Sequence, residues 1–329
     1  MNEKIDVLMA TYNGEKYLKE QIDSILNQTY QNIHLIISDD CSTDSTREIL
    51  KTYEENEKVT VFYQENNLGY VKNFEFLLKQ VENNLYMLSD QDDFWLPEKI
   101  EKSVEKLQNE NLDLVFGDLE VVDENLNKIY DSFVKFMKLD RKIKREINTP
   151  MLNYLYCCVT GCTVLSKKEF LDKILPIPTV SKYLIHDHWI GLVVSLHGKV
   201  GFMEEKYIKY RQHGNNQVGT DKVSHKFKKL EQVRNLFIDV KLGIFDTYVQ
   251  NPNIFPEELQ VLNKKALVYF KMLQTKKHFN FRSWSIFYKL YKTEPFLYFI
   301  ENFIILNMPF LAKIAFHIRL FILKLLGKR

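Results

Sequence analysis

Cysteine, glycine, proline and long apolar runs are all scarce in this chain, and each scarcity removes a class of protein. The four cysteines among 329 residues, Cys41, Cys157, Cys158 and Cys162, are too few for a disulfide scaffold. Cys157-Cys158-x3-Cys162 has neither zinc spacing nor another Cys or His beside it, so buried or half-buried thiols are expected. With 11 Gly, 8 Pro, 45% hydrophobic and 27% charged residues, disordered, collagenous and low-complexity classes are excluded. No run of about 18 uncharged apolar residues occurs. The longest candidate, 302–312, contains Pro309 and stops at Lys313, which disfavours a simple transmembrane helix. Residues 1–6 carry no basic segment leading into an apolar one, so secretion by a signal peptide is not expected and a reducing cytoplasm is. There is no G-x-G-x-x-G after the first apolar run and no G-x-x-x-x-G-K-[ST], which leaves a dinucleotide site or a P-loop unsupported. Net charge is only +2, but residues 1–220 carry 26 Lys and Arg against 35 Asp and Glu, and residues 221–329 carry 19 against 8. An acidic body and a basic tail imply two jobs. The tail has no motif that supports nucleic-acid binding, and no nucleic-acid partner is expected.

What is present is an alternation of periods. Short apolar runs at 5–9, 33–38, 59–63, 85–88 and 112–116 read as strands. Between them, 15–28, 43–53, 69–81 and a segment opened by Pro97 carry helical spacing, the second with Ser42 or Thr43 as its cap. This order predicts a Rossmann-like α/β fold with a mostly parallel central sheet and flanking helices. Ligands of such sheets bind at the carboxyl ends of the strands. Three polar clusters fall there: Thr11-Tyr12-Asn13-Gly14, Asp39-Asp40-Cys41-Ser42 and Asp90-Gln91-Asp92-Asp93.

Three carboxylates within four residues repel one another unless a cation sits among them. Mg²⁺ or Mn²⁺, completed by substrate phosphate, is the natural partner; a solvated acidic turn with Asp93 capping the next helix is the plainer reading. Asp40 can accept from a base N–H or a ribose hydroxyl, or cap a helix. Tyr12 can stack on a base, or lie half-buried. The helix start at Asn67-x-Gly69-x3-Asn73, with Lys72, can face a phosphate, or Gly69 merely shapes a turn.

Taken in order, Thr11-Tyr12-Asn13, Ser38-Asp39-Asp40-x-Ser42-x-Asp44, Asn67-x-Gly69-x3-Asn73 and Asp90-x-Asp92-Asp93-x-Trp95-x-Pro97 resemble the family 2 glycosyltransferases of GT-A fold. His186-Asp187-His188-Trp189 and Tyr210-Arg211-Gln212-His213-Gly214 are similar to the branch holding bacterial rhamnosyltransferases. The resemblance implies inverting transfer from a nucleotide-diphosphate sugar, with Tyr12 and Asp40 at the base or ribose, Asp92 on the metal, and Asp90 at the ribose or metal. It places Asp187 as general base, where many relatives have Glu-Asp and this chain has His186-Asp187. The Q-x-x-R-W motif of processive relatives is absent, which argues for adding one sugar or a few.

Inversion in one displacement needs one base for the acceptor proton and a metal for the leaving diphosphate. Asp187, between two imidazoles, is expected to stay ionised through a depressed pKa, or else to cap the helix that follows. His213 follows a predicted strand at 206–210 and is expected to reach the metal or diphosphate, with Arg211 beside it, unless it is only a loop residue. Asn215, Asn216 and Gly219 suggest a lid.

The expected organisation is a GT-A catalytic domain at 1–220 and a basic, aromatic-rich helical region at 221–329, with helices at 222–242 and 256–274. From Phe281 onward 12 of 49 residues are Phe, Tyr or Trp. Leu311, Ile314, Ala315, Ile318, Ile322 and Leu325 form one stripe, with Lys313, His317, Lys324 and Lys328 largely elsewhere. Such a helix suits the membrane interface, or packs on the body or a dimer partner. The expected enzyme moves L-rhamnose from dTDP-L-rhamnose, or a hexose from a UDP-sugar, to a glycan or lipid-linked acceptor at the inner face of the cell membrane. Nucleotidyl transfer and a non-catalytic glycan-binding role are the alternatives, and a homodimer is left open.

Overall fold

A computed structural model describes residues 3–147, 149–214, 230–275 and 281–291. The chain divides into two compact units, Met1–Ile177 with Ile185–Gly219, and Pro178–Leu184 with Thr220–Arg329.

The first unit is built on β1 (Ile5–Thr11), β2 (Ile33–Asp39), β3 (Val59–Tyr63), β4 (Leu85–Ser89), β5 (Phe94–Trp95), β6 (Leu114–Gly117), β7 (Glu120–Val122), β8 (Lys128–Tyr130), β9 (Leu165–Lys167), β10 (Val200–Met203) and β11 (Ile208–Arg211). Seven strands form the central sheet in the order β10-β6-β9-β4-β1-β2-β3, and β5-β11-β7-β8 form a smaller one. In the large sheet β1, β2, β3 and β4 pair parallel, as do β6 and β10; β9 runs antiparallel between β4 and β6. The GT-A architecture expected from strand–helix alternation is therefore present. The insertion of β9 between two parallel strands is a tertiary event that no periodicity announced.

Strands β1, β2 and β4 read as continuous apolar runs because both faces are covered. Helices Leu18–Leu26 and Lys99–Asn109 supply Ile22, Ile25, Ile100, Val104 and Leu107 to the core under β1, β2 and β6. The helix expected from Thr43 begins at Thr46, after Ser45, and Ser42 does not cap it. Instead Asp44 Oδ1 accepts from the Thr46 N–H at 3.0 Å, and Ser42 ties the turn to Asp39. The local side-chain bonds hold residues 40–45 as a loop and delay the helix by a turn.

The second unit contains helices Leu230–Gln250, Glu257–Gln274 and Phe281–Tyr291. Phe245 stacks on Phe270 with centroids 5.6 Å apart, and Phe287, Leu290 and Tyr291 are buried. The segment Pro178–Leu184 belongs here because Gly243 lets Ser181 lie against its helix, where a Cβ would collide with Ser181 Oγ. Among the described residues no helix is long and apolar enough to cross a membrane. The expected stripe at Leu311–Leu325 and the expected lid at Asn215, Asn216 and Gly219 lie outside the described residues.

Candidate active site

The carboxyl ends of β1, β2 and β4 bring the three polar clusters together, and backbone hydrogen bonds lock them. The Asp40 N–H donates to the Thr11 carbonyl at 2.8 Å. Asn13, at φ 49°, donates its N–H to Ser42 Oγ at 2.9 Å and accepts from the Thr43 N–H at 2.8 Å through Oδ1. Thr11 Oγ1 donates to Asp39 Oδ1 at 3.3 Å. Gln91, which sequence reasoning passed over, clasps the first cluster to the third. It accepts from the Tyr12 N–H at 2.8 Å and donates Nε2 to the Tyr12 carbonyl at 3.0 Å. This close approach requires Gly14, where a Cβ would collide with Gln91 Oε1. The Tyr12 ring stays exposed.

Asp40 is buried and accepts from the Leu68 N–H at 2.6 Å and the Gly69 N–H at 2.9 Å. Gly69, at φ 79°, makes the turn into helix Tyr70–Leu78. Asn73 is buried beneath β2, donating Nδ2 to the Ser38 carbonyl at 2.9 Å. Lys72 pairs with Glu75 at 2.7 Å instead of standing free at the helix start.

The Asp90–Asp93 loop carries most of the charge. Burial, then the carboxylates of Asp92 and Asp187, push Asp90 up to about 7. Burial, then Asp92 and Asp90, push Asp93 well above the usual range, and its Oδ2 has no hydrogen-bond partner among the described residues. His213 Nε2 lies 2.8 Å from Asp92 Oδ2. Crowded carboxylates, half-buried at Asp90 and Asp92, with an imidazole on Asp92 fit a hard divalent cation. Among the described residues the one group of three ligands within reach of a single ion is Asp90, Asp93 and Cys162, whose ligand atoms all lie within 4.8 Å of one another. Asp90, Asp92 and His213 are the less buried groups here. Asp93 and Cys162 are sealed beneath the loop, Asp93 Oδ1 accepts from the Arg211 N–H at 3.2 Å, and the buried Lys99 amine, 3.1 Å over the Trp95 ring, lies in the same interior cluster.

Arg211 is not an arm reaching toward a substrate. It is buried, with Nε donating to the Asp92 carbonyl at 2.9 Å, one amino group to the Glu124 carbonyl at 2.6 Å, and the other paired with Glu20. It braces the loop on which Asp92 stands. A cleft of about 750 Å³ lined by Lys16, Tyr17, Glu20, Trp95, Glu124 and Arg211 lies at this brace, and the Asp90–Asp93 carboxylates do not line it.

Helix His186–His197 delivers Asp187 to the same region. The expected cap is not found: Ile185 precedes the helix without a side-chain bond, and Asp187 lies one residue inside. Its Oδ1 accepts from the His188 N–H at 2.6 Å and its Oδ2 from the Gly161 N–H at 3.2 Å. The expected depressed pKa is also corrected. Burial outweighs the backbone bonds and raises Asp187 to about 6. His186, buried and stacked on Phe74, is held neutral by burial, down to about 3, and supplies no positive charge. Cys157, expected to be buried or half-buried, is exposed, with its sulfur 4.0 Å from Asp187 Oδ1.

Residues 6–175 match the sequence profile of glycosyl transferase family 2. The chain belongs to that family. It is 32% identical over 240 residues to dTDP-rhamnosyl transferase RfbG of Shigella flexneri, covering 69% of this chain and 79% of that one. It is 30% identical over 213 residues to an uncharacterized glycosyltransferase of Rickettsia typhi, covering 64% of each. The match spans 66% of the length of another uncharacterized glycosyltransferase, from a Nostoc species. Among solved structures, the fold is similar to S. aureus TarS 1–349 in complex with UDP-GlcNAc, with a TM-score of 0.55 at 19% identity, over 96% of this chain and 87% of that one. It is also similar to the mannosyltransferase PcManGT of Pyrobaculum calidifontis in complex with GDP-Man and Mn²⁺, with a TM-score of 0.53 at 12% identity, over 91% and 78%. The family match ends at 175, so Asp187, Arg211 and His213 join the site through the fold rather than through the matched segment.

Proposed function

We propose that this chain is a metal-dependent, inverting glycosyltransferase that moves L-rhamnose from dTDP-L-rhamnose to a glycan or lipid-linked acceptor in bacterial surface-glycan synthesis. The observation that carries the reaction type is the convergence of Asp187 with the Asp90–Asp93 loop, close enough for its charge to help raise the Asp90 carboxyl. The rhamnosyl donor is supported by the 32% identity to a dTDP-rhamnosyl transferase.

In this reading Tyr12 stacks on the base, while Asp40 and the Thr11–Asn13 turn border the nucleoside. Lys72, released from Glu75, reaches toward the diphosphate, and Asn73 holds the helix start in place. Asp92 and His213, with Asp90, hold Mn²⁺ or Mg²⁺, which when bound neutralises charge on the diphosphate. Asp187 takes the proton of the acceptor hydroxyl as that oxygen bonds to the anomeric carbon and the carbon–diphosphate bond breaks. Two backbone N–H bonds aim its carboxylate, and at pH 7 and above it is mostly ionised despite its raised pKa of about 6. Arg211 acts by bracing Asp92.

Residues 1–220 form the catalytic domain in this reading. The basic region 221–329 associates with the cytoplasmic face of the membrane, where lipid-linked acceptors reside.

The test is Mn²⁺-dependent hydrolysis scanned over dTDP-L-rhamnose, UDP-glucose, UDP-galactose and UDP-GlcNAc. Preference for dTDP-L-rhamnose is expected. Preference for a UDP-hexose replaces the donor alone, and no turnover with any donor sinks the enzyme reading.

A further inference from the structure

His186 opens helix His186–His197 just ahead of Asp187, and its surroundings give it work of its own. The ring is 7% exposed and lies face to face with Phe74, centroids 4.1 Å apart and planes 16° apart. Tyr70 meets its edge at 6.2 Å. Both aromatics belong to helix Tyr70–Leu78, whose entry turn is tied to Asp40. His186 therefore packs on the helix whose entry turn Asp40 holds, and Asp187 follows it in the chain. Its Nε2 and Asp187 Oδ2 lie 3.2 and 3.7 Å from the point where a Cβ on Gly161 would stand. Its Nδ1 is buried with no hydrogen-bond partner among the described residues.

A neutral imidazole carries one N–H and one lone pair. A buried N–H without a partner is rarer than an underused acceptor, so the proton belongs on Nε2, which looks into the site. Phe74 and Tyr70 cover the ring, and the charge beside it is the Asp187 carboxylate. What completes this arrangement is a neutral hydroxyl; an anionic phosphate finds no charge to match here.

We propose that His186 reads the transferred sugar, its imidazole bonding a hydroxyl of the donor's sugar ring, so that donor choice depends on this side chain. The proposal rests on the glycosyltransferase reading above. It assigns Phe74 and Tyr70 the task of fixing the ring. The imidazole donates without adding charge and leaves Asp187 as the one anion on that helix.

The test is calorimetric binding, in Mn²⁺, of UDP, dTDP, UDP-glucose and dTDP-L-rhamnose to the full chain and to its His186→Ala and His186→Asn variants. In the unaltered chain the preferred sugar nucleotide binds more tightly than its bare nucleotide. That gain is expected to fall about five- to tenfold in His186→Ala and less in His186→Asn, which keeps an N–H. Affinity for the bare nucleotide is expected to hold, which also reports an intact fold. Equal weakening of both ligands in a folded variant, or an unchanged gain in both variants, overturns the proposal. Should both variants fail to fold, the ¹⁵N resonance of the His186 ring in the unaltered chain decides. It shifts on adding sugar nucleotide and not on adding bare nucleotide, and the absence of that difference overturns the proposal. A chain that binds neither nucleotide overturns the glycosyltransferase reading itself. One that binds nucleotide but gains nothing from the sugar overturns this inference alone.

Discussion

Replacing Asp187 by asparagine should stop the reaction and stabilise the fold. Burial raises the carboxyl from its ordinary 3.8 to about 6. The native chain therefore holds the proton more tightly than the unfolded chain between about pH 4 and 6. Stability falls as pH rises through that window, and above it the buried charge costs about 3 kcal/mol, at about 1.36 kcal/mol per pH unit. Asparagine removes the charge but keeps one acceptor oxygen for the two N–H groups of Gly161 and His188, a loss of about 1 kcal/mol. The net is about 2 kcal/mol of added stability at pH 7.5, or a Tm rise of about 4–8 °C for the unit that holds it. Calorimetry with EDTA reads this without metal or donor. The gain should fade below about pH 5, where Asp187 is already protonated in the native protein. In the same variant kcat should fall by about 10²- to 10⁴-fold, the worth of a general base. In the unaltered enzyme kcat/KM should fall about tenfold per pH unit below about pH 6. A variant that melts earlier and keeps its turnover would mean that Asp187 only joins Gly161 to the helix, and the reasoning would be wrong.

His213→Ala should lower turnover at limiting Mn²⁺ and raise the Mn²⁺ concentration for half-maximal rate, with an unchanged melting profile; unaltered kinetics at every Mn²⁺ concentration would remove it from the metal site. Gly14→Ala should dislodge Gln91 from the Tyr12 backbone and cost about 1–3 kcal/mol of stability, together with nucleotide affinity, read by denaturant titration and calorimetry. An equally stable variant with unchanged affinity would show that the clasp does not shape the site. Deleting 292–329 should move the protein from the membrane fraction to the soluble fraction on centrifugation. The cut belongs after Tyr291 because Phe287, Leu290 and Tyr291 are buried in the second unit. Loss of folding on this deletion would favour packing over membrane attachment.

The strands β1, β2 and β4 and the polar residues that follow them were legible because a sheet covered on both faces demands unbroken apolar runs, and the turns beyond them are free to be polar. The carboxylate loop was legible because three carboxylates within four residues repel one another and stand out after an apolar strand. What the chain alone left open is where distant segments return. Helix His186–His197 brings Asp187 to β4 across nearly a hundred residues, and β11 brings Arg211 under Asp92. Residue spacing carries no record of such returns. Burial was decided in the same way. From sequence Asp187 between two histidines reads as an ion with positive neighbours, yet packing leaves His186 neutral and raises the Asp187 carboxyl to about 6. Arg211 reads as a phosphate arm, yet the tertiary structure surrounds its guanidinium with carbonyls and a carboxylate and makes it a brace. Residue type set which groups were available for the chemistry. Solvent exclusion, which only the packed fold supplies, set their charge and what each one faces.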